Sequence, residues 1–155
     1  MILSLKRKMS KNKKVINATK STYNGIKFRS KTEERVYKKL LSLGYNPNYE
    51  LEPTVLWEGF RPTKTWYLEG EPQITKKTLI NKAFEDWNYT PDFLVEMNGY
   101  RFYIEAKGHP NDLWPYKRKL FLKWLETQDK AYFFQIKTIK ALVESLEIMK
   151  TISSQ

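Results

Sequence analysis

The chain has no cysteine and only one histidine, His109. The lack of cysteine excludes a disulfide scaffold, a thiolate metal site and a cysteine nucleophile, and it fits a reducing compartment. No apolar run reaches the length of a membrane-spanning helix. The opening stretch MILSLKRKMSKNKK is basic but lacks the long apolar segment of a secretory signal. A cytoplasmic protein with no membrane partner is therefore expected. Acids are also scarce. Seventeen Asp and Glu stand against 28 Lys and Arg, giving a net charge of +11 in 155 residues. That imbalance points to a polyanion, most simply nucleic acid. A soluble basic protein, or one that assembles on an acidic partner, is the blander reading. No internal repeat is visible.

What is present suits one folded domain with a core, because 41% of residues are hydrophobic and 15% aromatic. Residues 1–22 carry Lys6, Arg7, Lys8, Lys11, Lys13 and Lys14 with little periodicity and read as a flexible basic arm. Residues 23–155 then form the domain, with an insertion at about 57–87. FRSKTEERVYKKLLSLGYNP is a helix with both ends marked: Ser30 and Glu33 make a capping box, and Gly44 closes it. Val36, Leu40 and Leu43 give it an apolar stripe. YELEPTVLW reads as a strand. Within the insertion, TWYLEG reads as a strand and KKTLINKAFEDW as a short helix or irregular segment. Asn111 or Asp112 is expected to cap a further helix, with Pro115 in its first turn and Leu113, Leu120, Phe121, Trp124 and Leu125 on its apolar face. AYFFQI has the length of a buried strand, and KTIKALVESLEIMK is a last amphipathic helix. This order predicts an α/β (α+β) fold, a central mixed sheet flanked by helices.

The stretch NYTPDFLVEMNGYRFYIEAKG is the most informative. Asn98-Gly99 is the strongest short hairpin signal, since both turn residues must accept positive φ. A two-residue loop pairs Met97 with Tyr100, Glu96 with Arg101, Val95 with Phe102, Leu94 with Tyr103 and Phe93 with Ile104. It also sets Asp92 against Glu105, with Cβ atoms about 4.5–5.5 Å apart, where like charges are destabilising. Lys107 falls on the same side as Glu105 by strand alternation. Two facing carboxylates beside an ammonium are a poor structural choice and a sensible site for a hard cation.

Pro91-Asp92 followed by Glu105-Ala106-Lys107 resembles the motif of the PD-(D/E)XK nucleases. FRSKTEERV, YTPDFLV and FYIEAKG are similar, in order, to segments of the junction-resolving endonuclease I family of some bacteriophages, across residues 26–108. The resemblance implies a restriction-endonuclease-like core and a Mg²⁺-dependent endodeoxyribonuclease, with Mn²⁺ able to substitute. It implies that Asp92, Glu105 and the Ala106 carbonyl bind metal, and that Glu33 on the first helix completes a second metal position. Lys107 would position or deprotonate the attacking water, or neutralise charge at the phosphorus. The family's further glutamate falls at Asn48, with Glu50 close by. The substrate implied is branched DNA such as a four-way junction, cut by a homodimer in the host-cell cytoplasm. The alternatives are a restriction-like or repair nickase acting on duplex DNA, and a non-catalytic DNA-binding or phage-assembly module that keeps the fold.

Each candidate has a plainer reading. Glu33 serves either as capping-box acid or as ligand, and could not easily do both. Asp92 could be a strand-entry acid bonded to backbone, and Glu105 a salt-bridge partner of Lys107. His109 is a loop residue or a phosphate contact. Arg29, Lys117, Arg118, Lys119 and Lys123 are candidate DNA contacts, and the helical ones alternatively form a solvated face. Trp57, Trp66 and Trp87 are expected in the core.

Overall fold

The computed structural model describes residues 19–63, 83–107 and 111–155. Most of the basic arm, most of the insertion with Trp66, and His109 lie outside the described residues. Ser21 and Thr22, the last residues assigned to the arm, belong instead to β1 (Ser21–Tyr23), which pairs with β2 (Ile26–Phe28).

Helix α1 (Lys31–Ser42) forms where the caps place it. The Ser30 hydroxyl accepts the Glu33 N–H at 3.2 Å. At the other end Gly44, at φ 83°, donates its N–H to Leu41, and Tyr45 donates to Leu40, the bond pattern of a Schellman motif. Val36 and Leu40 are buried, but Leu43 is exposed, because as C-cap it has left the helical stripe.

The predicted strand over 49–57 is two strands in different sheets. Strand β3 (Asn48–Tyr49) ends at Glu50, whose φ of 56° breaks the extended run, and β4 (Thr54–Trp57) starts after Pro53. Strand β5 (Trp87–Tyr89) pairs antiparallel with β4. The expected helical or irregular segment reaches only its first residue, while Asn88 and Tyr89 belong to the stretch read as the hairpin's first strand, which begins instead at Phe93. Trp57 and Trp87 are exposed on this two-stranded sheet, so neither is a core residue. A two-stranded ribbon offers too little cover to bury both of its faces.

The central sheet has the order β3–β6–β7–β8. Strands β6 (Phe93–Met97) and β7 (Tyr100–Ala106) pair antiparallel in the predicted register from Met97–Tyr100 to Phe93–Ile104. Asn98 and Gly99 take φ of 48° and 81° at the turn. Helix α2 (Trp114–Leu125) then returns the chain, and β8 (Ala131–Ile136) lies parallel to β7. The sheet is therefore mixed, as expected. Neither Asn111 nor Asp112 caps α2. Its N-cap is Leu113, in helical geometry and exposed, with no side-chain cap bond, and Pro115 sits in the first turn. Helix α3 (Ile139–Ser153) is capped by the Thr138 hydroxyl.

Strand alternation sends apolar side chains to both faces. On one side Phe93, Val95, Phe102 and Ile104 pack with Val36 and Leu40 of α1 and Leu142, Leu146 and Met149 of α3. On the other, Tyr103 and Tyr89 pack with Trp114, Phe121 and Leu125 of α2. Burying one such side chain contributes about 1.5–3 kcal/mol. Truncating Phe102 to alanine at the centre would cost about 3–5 kcal/mol.

Candidate active site

Both acids of the hairpin stand at its open end, opposite the Asn98-Gly99 turn. Glu105 belongs to β7, on the face covered by α2, because it lies two residues on from the buried Tyr103 and so shares its side. Asp92 is not a mid-strand residue. It lies in the bend between Pro91 and β6, one residue short of the paired register. There its Oδ2 accepts the Ala106 N–H at 2.8 Å, which ties strand entry to the end of β7.

Glu105 is 3% exposed. Its Oε2 accepts the Tyr89 hydroxyl at 2.6 Å, and its Oε1 accepts the Lys107 ammonium at 3.2 Å. Lys107 also lies 4.7 Å from the centroid of the Trp114 ring, a favourable cation–π position. The plainer readings of Asp92 and Glu105 thus describe real bonds, but the single ammonium does not keep both acids ionised. Burial, and then the charges of Glu105 and Glu33, push the Asp92 carboxyl up to about 8, against the opposing Ala106 N–H and Lys107. Burial and the charge of Glu105 hold the Tyr89 phenol well above its ordinary range, so it stays a donor.

A buried carboxylate beside a half-buried carboxyl that holds its proton up to about pH 8 suits a hard divalent cation, which would displace that proton, take one or two carboxylates and keep several waters. Asp92 and Glu105 are the residues that fit. Glu33 is not gathered with them. Among the described residues no three His, Cys, Asp or Glu side chains form a group that could hold a metal ion. Instead Glu33 Oε1 accepts the Ser30 hydroxyl at 2.8 Å, and Oε2 accepts the Tyr49 hydroxyl at 2.7 Å and the Arg29 N–H at 3.2 Å. It remains near enough to raise Asp92 by its charge.

Of the candidate DNA contacts, Arg118 reaches from α2 to Gln135 at 3.3 Å, and Gln135 is the β8 partner of Glu105. Lys119 and Lys123 are exposed and Lys117 half-buried on the same helix; none of the three forms an ion pair among the described residues. The Arg29 side chain is exposed beside the α1 cap. Sequence reasoning missed Tyr89, Trp114 and Gln135. Only the alternation of β8 with β7 could have signalled Gln135. Tyr89 and Trp114 are united by packing on α2, with ring centroids 5.6 Å apart, and no local pattern reports that. Comparison of the chain with protein-family models, curated proteins and solved structures returns no match.

Proposed function

We propose that the chain is a Mg²⁺-dependent DNA endonuclease that hydrolyses phosphodiester bonds, with branched DNA such as four-way junctions preferred over plain duplex. The observation that carries this reading is the pairing of two acids at one end of the hairpin, Glu105 buried and Asp92 half-buried, beside the single Lys107 ammonium. A chain with a net charge of +11 supplies the complementary field for a phosphate backbone.

Asp92, Glu105 and the Ala106 carbonyl would hold the cation, and Mn²⁺ would substitute for it. When bound, the cation supplies charge stabilisation at the scissile phosphate and acidifies water. Lys107, fixed between Glu105 and Trp114, would orient the attacking water and, as an ammonium, offset charge at the phosphorus. It would take the water's proton only after giving up its own and acting as the neutral amine. Arg118 beside Gln135, with Lys117, Lys119 and Lys123 along α2, binds flanking phosphates, as do Arg29 and His109. Glu33 holds the start of α1 and adds its charge to Asp92. The preference for branches rests on the three ordered segments similar to the phage junction-resolving family, and a homodimer would place two sites symmetrically about the branch.

Incubation with plasmid, linear duplex and four-way-junction DNA, with and without Mg²⁺, tests the reading. Cleavage that requires the cation and is fastest on the junction is the expected result. Equal rates on junction and duplex would leave the nuclease and remove the junction preference. No metal-dependent cleavage of any DNA would leave a non-catalytic DNA-binding module.

A further inference from the structure

We infer that Tyr89 is a positioning residue of this site: its hydroxyl fixes the Glu105 carboxylate in the orientation that receives a divalent cation. The inference rests on the nuclease reading and assigns a role to a residue outside the Asp92/Glu105/Lys107 motif.

A glutamate carboxylate rotates easily about its last torsion, where the preference is broad. Two bonds restrain Glu105. One comes from Lys107, only two residues on and itself on a flexible stem. The other, from Tyr89 at 2.6 Å, is the shorter, and both of its ends are buried. The tyrosine ring is held in turn, its centroid 4.8 Å from Phe121 and 5.6 Å from Trp114. Lys107 rests on that same Trp114. One helix therefore braces both partners of Glu105. Among the described residues the buried Trp114 Nε1–H has no hydrogen-bond partner, so ring packing and the Lys107 contact keep the indole in place. Tyr89 also ends β5, opposite Thr54 of β4, so its bond couples the two-stranded sheet to the central one. Groups that orient a metal ligand in this way typically govern 10–100-fold in metal affinity or activity.

The test is Tyr89→Phe, which removes the hydroxyl and keeps the ring. Calorimetric titration with Mn²⁺ is expected to show affinity about 10–100-fold weaker than the wild type, with junction binding in EDTA unchanged. In a Glu105→Gln background the same substitution is expected to have no further effect on Mn²⁺ affinity, as coupled residues require. A Mn²⁺ affinity within twofold of wild type, or a loss that simply adds to that of Glu105→Gln, would overturn the inference. A readout on the unaltered protein guards against misfolding of the variant. With ¹³Cζ-labelled tyrosine, Mg²⁺ should move the Tyr89 resonance with the midpoint found by calorimetry. An unmoved resonance while Mg²⁺ binds would overturn the role of Tyr89 and leave the nuclease standing; a wild type that binds no divalent cation would overturn both.

Discussion

Two glutamates are buried among the described residues, and each accepts a hydrogen bond from a tyrosine hydroxyl. Glu33 takes Tyr49; Glu105 takes Tyr89. Their remaining partners differ in kind. Glu33 is surrounded by neutral donors from its own helix start, the Ser30 hydroxyl and the Arg29 N–H. That is a capping arrangement shifted by one residue, since the N–H captured precedes the N-cap. Glu105 instead has an ammonium on one side and another carboxylate nearby. The first environment satisfies a charge and fixes a fold. The second gathers two acids around one ammonium and keeps Asp92 protonated up to about pH 8. Burial alone therefore does not distinguish the two glutamates; the second acid and the ammonium beside Glu105 do.

The contrast is broken most severely through cleavage rates. Asp92→Asn, Glu105→Gln and Lys107→Ala are each expected to slow single-turnover cleavage of a junction by about two to four orders of magnitude, with cooperative melting retained. Three variants that cut at near wild-type rates would place the chemistry elsewhere. Metal-free binding is the next largest effect. Gel shifts in EDTA should weaken with a log–log salt slope of about −0.9 per phosphate contact, and a flat salt dependence would detach the basic charge from DNA.

Glu33→Ala sharpens the other half of the comparison. Loss of the cap should lower stability by about 0.5–2 kcal/mol in urea unfolding and leave cleavage within about tenfold. A rate loss as large as that of Glu105→Gln would return Glu33 to the metal site. The smallest effect concerns pH. Asp92 binds its proton more tightly folded than unfolded, so this contribution favours the fold at low pH. It is lost as pH rises from the ordinary carboxylate range near about 4 to about 8. In EDTA the melting temperature should therefore fall across that window, and Asp92→Asn should flatten the fall.

The features legible in the sequence were those decided by neighbours in the chain. Ser30 with Glu33 marked α1, and Asn98-Gly99 marked both hairpin and register, because positive φ restricts which residues can make that turn. From register alone came the proximity of Asp92 and Glu105 and the side on which Lys107 lies. Features decided across the fold stayed hidden. The break at Glu50 depends on two segments joining different sheets. The failed cap at Asn111 or Asp112 reflects a helix start fixed by packing of the buried Trp114 rather than by a side-chain bond. Tyr89 lies in a strand of three residues, too short to show a period, and its burial is conferred by α2.

The Asn98 side chain donates to the Ser153 carbonyl at 3.0 Å, anchoring the hairpin tip to the last helix. Glu105 is the sixth residue of β7, and six rises of about 3.3–3.4 Å set the carboxylates roughly 20 Å away. Were β7 to slip by one residue against β6, every one of its side chains would turn to the opposite face, and Glu105 would leave Tyr89 for the side lined by Val36, Ile136 and Leu142. A residue inserted at the turn would instead be absorbed as a longer loop. The hold of Asn98 on Ser153 and the pairing of β7 on both of its edges therefore keep the register, and with it the place of the carboxylates.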